Sequence, residues 1–175
     1  EYRRSRYLVR AWTQTSAPLA RTDDGVITWP SGLSGSISHK DLAIALTIAE
    51  SRSWHSLGLD LEDCGRMQLA FESRLCSPTE SVLLQRLAGE DVAKKLALLT
   101  ALFSFKEAIF KCCFPLSGIM FHFQEAEVTV LDLENGSASA HLLKSVSPLT
   151  PFGTKLTGWL ARIDDGGRQY VLAAT

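Results

Sequence analysis

The sequence predicts an α+β protein. Three observations carry that prediction. Residues 92–114 form one long apolar helical run, several short alternating stretches separated by turn residues fill the carboxyl-terminal third, and the chain opens on an arginine-rich amphipathic stretch. In that opening stretch Arg3, Arg6 and Arg10 recur at i, i+3 and i+7, so they line one face of a helix. Arg3 reads as a solvated residue of that face. A Gly/Pro-punctuated loop follows over 23–35, then strands at 36–39 and 42–50, a turn at 51–55 and a strand at 57–62. Residues 66–73 and 78–89 read as helices ahead of the long one. Pro115 is expected to end the long helix at Phe114, because proline disfavours helical geometry in its predecessor. Strands at 127–133, 138–144, 155–163 and 169–174 close the chain, with Asp164-Asp165-Gly166-Gly167 as a hairpin turn between the last two.

Composition narrows the function classes. Hydrophobic residues make up 46% and charged residues 21%, the balance of a soluble globule rather than a disordered chain. Eighteen basic and nineteen acidic side chains leave a net charge of -1, so no global field recruits nucleic acid or an anionic membrane, and any anion site must be local. No run approaches the roughly 20 apolar residues of a membrane span, and no basic-then-apolar leader opens the chain, so a cytoplasmic location is expected. Cys64, Cys76, Cys112 and Cys113 lack C-x-x-C spacing and are expected as reduced thiols; His39, His55, His122 and His141 lack the spacing of zinc ligands.

Two segments carry the chemistry. In Leu57-Gly58-Leu59-Asp60-Leu61-Glu62 leucines alternate with polar residues, so a strand places Asp60 and Glu62 on one face and Leu59 and Leu61 on the other. The second segment is Phe103-Ser104-Phe105-Lys106-Glu107-Ala108-Ile109-Phe110-Lys111. Here Leu96, Leu99, Phe103 and Phe110 make one apolar stripe with Glu107 inside it, about 40° from Phe103 on the wheel, and Lys106 and Lys111 at its borders. Three carboxylates brought together repel by roughly 3 kcal/mol per pair at ~6 Å and an effective dielectric of ~20, a cost that a divalent ion removes. Hard oxygen donors favour Mg²⁺ or Mn²⁺ over Zn²⁺. Singly, each segment reads as a solvated strand edge or a surface ion pair; jointly they point to a metal-and-phosphate site.

The pair resembles the phosphopantetheinyl transferases of the surfactin-synthetase-activating type, most closely the enterobactin synthetase component D-like branch. The family pattern is G-[IVL]-D-x-E followed, several tens of residues on, by [FW]-[SCA]-x-K-E-[AS]-x-x-K, and every fixed position is met. Trp29-Pro30-Ser31-Gly32-Leu33-Ser34-Gly35-Ser36-Ile37-Ser38-His39, Ser77-Pro78-Thr79-Glu80 and Phe114-Pro115-Leu116 extend the likeness over most of the chain. The first residues resemble a helix that begins some tens of residues into relatives, and with no initial methionine an upstream segment is expected.

The resemblance implies two similar α+β halves with pseudo-twofold symmetry, the first shortened at its amino terminus, dividing the chain into 1–56 (coenzyme A nucleotide side) and 57–175 (metal and catalytic motifs). It implies Mg²⁺-dependent transfer of 4′-phosphopantetheine from coenzyme A to a serine of an apo acyl, peptidyl or aryl carrier protein, in siderophore or other nonribosomal peptide synthesis, by a protein expected to be a monomer. Asp60, Glu62 and Glu107 would hold Mg²⁺, with Mn²⁺ as the substitute. Lys106, Lys111, Ser38, His39, Arg6 and Arg10 would contact coenzyme A, and Lys111 would also stabilise the leaving phosphate. Glu107 or Glu80 would take the serine proton. The loop Thr22-Asp23-Asp24-Gly25-Val26-Ile27-Thr28 lacks the lysine that relatives often carry there, so a basic nucleotide contact is not expected from it. Leu116, Ile119, Met120 and Phe121 are an apolar patch for the carrier or a loop folded back on the core. A metal-dependent coenzyme A pyrophosphate hydrolase and a non-catalytic binding module are the competing readings.

Overall fold

The structure, a computed structural model, describes residues 2–13, 19–41, 43–148 and 150–175, with side chains from Tyr7 onward except Thr13. Helix α1 (Tyr2–Thr13) packs against the hairpin of β3 (Leu33–Lys40) and β4 (Ala43–Glu50) through contacts with β4. A short ladder of β1 (Ala20–Arg21) and β2 (Ile27–Thr28), in the stretch expected as loop, closes the turn at Asp23 and Asp24. Next come β5 (Leu59–Asp63), a single-turn α2 (Glu72–Leu75), α3 (Pro78–Ala88), α4 (Val92–Ser117) and the strands β6 (Ala126–Asp132), β7 (Ser137–Leu142), β8 (Lys155–Asp165) and β9 (Arg168–Ala174). Mixed helices and antiparallel sheet make this an α+β fold, as the sequence predicts.

The main sheet runs β5-β9-β8-β7-β6, all antiparallel, and α4 lies across one face. The two-residue turn Gly166–Gly167 joins β8 to β9 with φ of 60° and 85°, the left-handed values a tight hairpin needs. Leu98, Leu102, Phe105 and Ile109 of α4 fill the core with Val128, Leu131, Ala140, Leu142, Leu160 and Val171 of the sheet. Two glycines set how closely the layers approach. A Cβ on Gly58 would lie 1.8 Å from the Ala108 carbonyl oxygen, and one on Gly158 would lie 2.2 Å from the Ala174 carbonyl and 2.6 Å from the Phe105 ring. Strand β5 thus touches α4 backbone to backbone.

Several expectations need correction. Residues 66–73 are not one helix but two 3₁₀ turns, Cys64–Arg66 and Leu69–Phe71, leading into α2. Helix α4 passes Pro115 and ends at Ser117, with Gly118 at φ 66° as its cap and its N–H donating to the Phe114 carbonyl at 2.8 Å. Proline is tolerated there because the last turn has few further hydrogen bonds to lose, and the Ser117 hydroxyl donates to the Cys113 carbonyl at 3.1 Å. Ser77 caps α3, accepting from the Glu80 N–H while Glu80 accepts from the Ser77 N–H, with Pro78 in the first turn. All four cysteines are free thiols. Among the described residues, no helix is long and apolar enough to cross a membrane.

Candidate functional site

Period two holds in β5. Asp60 pairs across the ladder with Ala173 and Glu62 with Val171, and Ala173 in turn pairs with Leu160 of β8, so both carboxylates stand on the sheet face that α4 covers. Asp60 is only 3% exposed. Its Oδ1 accepts from Lys111 Nζ at 2.6 Å and from the Ser38 hydroxyl at 3.0 Å, and Lys111 Nζ also donates to Ser38 Oγ at 3.2 Å. Helix α4, strand β5 and strand β3 therefore meet at one junction of three side chains. Asp60 Oδ2 is buried and has no hydrogen-bond partner among the described residues. An orphaned carboxylate oxygen in such a place has its desolvation uncompensated.

Glu107 projects from α4 beside this junction, half-buried. Burial pushes its carboxyl above the usual carboxylate range; the Asp60 and Glu62 charges add to that push, and Lys111 opposes it. Asp60, Glu62, Glu107 and Lys111 thus share one electrostatic neighbourhood, as the two motifs predict. Glu62 pairs with Lys40 Nζ at 2.5 Å, and among the described residues no three His, Cys, Asp or Glu side chains stand within coordinating reach of one point. Each strand carboxylate is turned to its own lysine. The donor set still fits Mg²⁺ or Mn²⁺: hard oxygens only, one of them buried without a partner.

Lys106 and Glu80 belong elsewhere. Lys106 is 1% exposed, and its ammonium donates to the Leu75 carbonyl at 2.9 Å, Glu80 Oε2 at 2.7 Å and the Phe123 carbonyl at 2.8 Å, which uses all three hydrogens. Glu80, fully buried, accepts as well from the Ser77 and Val128 N–H groups at 2.7 and 2.6 Å. Desolvation lowers the Lys106 pKa, with Glu80 opposing. The expected phosphate contact of Lys106 and base role of Glu80 are therefore replaced by a buried pin joining α3, α4 and β6. Among the described residues, the hydrogen bonds of these two groups go to Leu75, Ser77, Phe123, Val128 and each other, none to Asp60. Successive residues of a helix diverge by about 100°, which sends Lys106 and Glu107 to different sides.

Two cavities flank the junction. One, of about 590 Å³, is lined by Lys111, Phe110, His55, Ser56, Trp29 and Arg21, together with the 24–27 loop. The other, of about 730 Å³, has Lys40, Glu62, Arg66 and Arg74 at its polar edge and Met67, Phe71, Phe103 and Phe123 as apolar wall. Arg21 was missed by the sequence reading. Its guanidinium donates to the Gly25 carbonyl at 2.7 Å and lines the first cavity, so the acidic loop has a cation beside it after all. Its only signal in the sequence is an arginine two residues ahead of the Asp23-Asp24-Gly25 turn. Lys40 was missed because the contact it makes is set by the docking of β3 on β5. His39 sits exposed near the end of β3, opposite Ile44 and next to Ser38. Arg10 is exposed on α1 and is not among the described residues lining either cavity; the Arg6 side chain lies outside the described residues. Met120 is exposed and lines the first cavity, whereas the Phe121 ring packs tilted against Phe110 with centroids 5.4 Å apart, so the predicted apolar patch is split between surface and core.

The sequence model of the 4′-phosphopantetheinyl transferase superfamily matches residues 56–175. The chain is 33% identical over 126 residues to the 4′-phosphopantetheinyl transferase Svp of Streptomyces mobaraensis, covering 72% of this chain and 50% of that protein. It is 30% identical over 122 residues to the 4′-phosphopantetheinyl transferase Npt of Nocardia iowensis, covering 70% of this chain and 52% of that protein. The chain thus spans about half the length of these curated relatives. A crystal structure of Thermotoga maritima holo-[acyl-carrier-protein] synthase superposes with a TM-score of 0.45 at 19% identity, over 67% of this chain and 61% of that one. With the family model covering well over half of it, this chain belongs to the 4′-phosphopantetheinyl transferase superfamily.

Proposed function

We propose that this chain carries the metal and catalytic motifs of an enzyme that transfers 4′-phosphopantetheine from coenzyme A to the serine hydroxyl of an apo carrier protein. The observation that carries the reading is the Asp60–Ser38–Lys111 junction, with Glu107 beside it and a cavity on either side. The first cavity, with Lys111, His55 and Arg21 and the Trp29 ring, suits a phosphorylated nucleotide. The second, cationic at its edge and aromatic within, suits the pantetheine arm and an acidic carrier. Residues 1–56 then serve the nucleotide side and 57–175 the chemistry.

Asp60, Glu62 and Glu107 would hold Mg²⁺, which when bound would neutralise charge on the pyrophosphate. Lys111, already within reach of Asp60 and Ser38, is placed to move its ammonium from the carboxylate to a phosphate oxygen, with Ser38 donating beside it and His39 following on the same strand. The carrier serine oxygen forms a bond to the β-phosphorus, and the bond from that phosphorus to the oxygen bridging to the α-phosphate breaks. The electron pair leaves with adenosine 3′,5′-bisphosphate. Glu107, beside the junction and, unlike Glu80, not held by three hydrogen bonds, accepts the serine proton. The W-P…G-S-I-S-H signature supports the enterobactin-type branch and a nonribosomal peptide or siderophore carrier as the acceptor.

Intact-protein mass spectrometry tests this. An apo peptidyl or aryl carrier incubated with coenzyme A, MgCl₂ and this chain should gain the mass of one phosphopantetheine, and Glu107→Ala should abolish the gain. Coenzyme A consumed without a mass gain on any carrier would replace transfer by hydrolysis.

A further inference from the structure

The lysine on Glu62 is not part of the motif pair, and its position has a consequence for how the site loads. Lys40 closes β3, opposite Ala43 in the hairpin ladder, and its Nζ lies 2.5 Å from Glu62 Oε2 with the two side chains 23% and 18% exposed. The next residue, Asp41, holds a left-handed φ of 52° and accepts from Arg66 at 2.5 Å and Arg168 at 3.0 Å. The hairpin tip is therefore pinned to the 3₁₀ turn that follows β5 and to β9, and Lys40 is presented to Glu62 by a fixed backbone. With Lys111 on Asp60, two of the three carboxylates of the proposed metal set already have a cation. Three carboxylates and two ammonium groups sum to -1, so a divalent ion added without displacement would leave the cluster at +1. A metal taking Glu62 Oε2 displaces Lys40, and the freed ammonium then needs an anion. The cavity that Lys40 and Glu62 both line is open to one.

Resting on the metal set proposed above, we propose that Lys40 is a positioning residue that occupies Glu62 against divalent cations until a phosphorylated substrate arrives, so that metal and coenzyme A load together. The geometry is this chain's own: an ammonium at the carboxylate lowers divalent affinity twice, by competing for the ligand and by adding a like charge beside the ion. Substrate phosphate reverses both effects.

Titration of Mn²⁺, followed by loss of the free-ion electron paramagnetic resonance signal, reads this without turnover. Without coenzyme A, Lys40→Met should tighten Mn²⁺ binding about two- to fivefold, the range expected for releasing a partly exposed ion pair. In the wild type coenzyme A should tighten Mn²⁺ binding, after subtraction of Mn²⁺ held by coenzyme A alone, and in Lys40→Met that enhancement should shrink. Lys40→Arg, which keeps the pair, should match the wild type. Asp41→Ala, which loosens the tip that presents Lys40, should tighten Mn²⁺ binding in the same direction as Lys40→Met by a smaller factor. If Lys40→Met binds Mn²⁺ no more tightly than the wild type, or more weakly, Lys40 does not compete for Glu62 and the proposal is wrong. If the wild type binds no Mn²⁺ with or without coenzyme A, the metal set itself fails and the proposal with it, an outcome distinct from the first because wild-type binding is lost.

Discussion

Lys106 and Lys111 stand in one motif on one helix, and burial separates their roles. Lys111 reaches a carboxylate at the cavity wall, while Lys106 is sealed against Glu80. Removing a partner from a sealed pair leaves the other charge stranded, so Lys106→Met should cost about 3–5 kcal/mol of unfolding free energy, measured by urea denaturation. Glu107 behaves oppositely. Its carboxyl titrates higher in the folded protein than in the unfolded chain, so the unfolded state gives up the proton first as pH rises, and the folded state loses stability between the ordinary glutamate pKa and the raised one. Glu107→Gln should remove that loss: without divalent ion it should melt no lower than the wild type at pH 8, while transfer to a carrier disappears. Thermal scans from pH 4 to 8 check the sign. The sequence pointed correctly to Asp60, Glu107 and Lys111 as neighbours, because strand and helix periodicity fix which side chains share a face. It could not separate Lys106 from Lys111, because the carboxylate that captures Lys106 comes from another helix, and only the packing of α3 on α4 brings it there.

At the scale of elements, the hairpin docks on β5 by hydroxyl groups rather than by a backbone ladder. Ser36 Oγ accepts from the Leu59 N–H at 3.0 Å and Ser38 Oγ from the Leu61 N–H at 3.1 Å, so alternate serines of β3 satisfy the open side of β5. Ser36→Ala or Ser38→Ala should each strand a buried amide at a cost of about 1–3 kcal/mol and speed hydrogen exchange at Leu59 or Leu61, read by mass spectrometry or NMR. Gly58→Ala should be worse than either, destabilising by about 3 kcal/mol or more, since its methyl would collide with backbone that cannot step aside. Helix α4 shows why the site's surroundings were hard to read. The sequence marks Leu96, Leu99, Phe103 and Phe110 as one stripe, yet of these Leu99 is the fully buried core residue, beside Leu98, Leu102, Phe105 and Ile109, while Phe103 and Phe110 line the two cavities. A helix apolar on every side has no preferred face by periodicity alone, and only its neighbours decide which stripe is dry.

At the scale of the molecule, the α+β class was legible because the sequence changes period from 3.6 to 2 where helices give way to strands. The junction between hairpin and sheet was not, because serine side chains and tip ion pairs leave no periodic trace. The sheet order carries one more consequence. Strand β5, which bears Asp60 and Glu62, ladders with β9, its one such partner among the described residues, where Leu59 faces Ala174 and Gly58 exchanges two hydrogen bonds with Thr175. During synthesis the carboxylate strand leaves the ribosome long before its partner exists. The candidate site must then be among the last features to assemble, and a nascent chain stopped before β9 would hold every motif residue named here without the ladder that places Asp60 and Glu62. Such distant closure also slows folding, since the connecting chain must first lose its freedom.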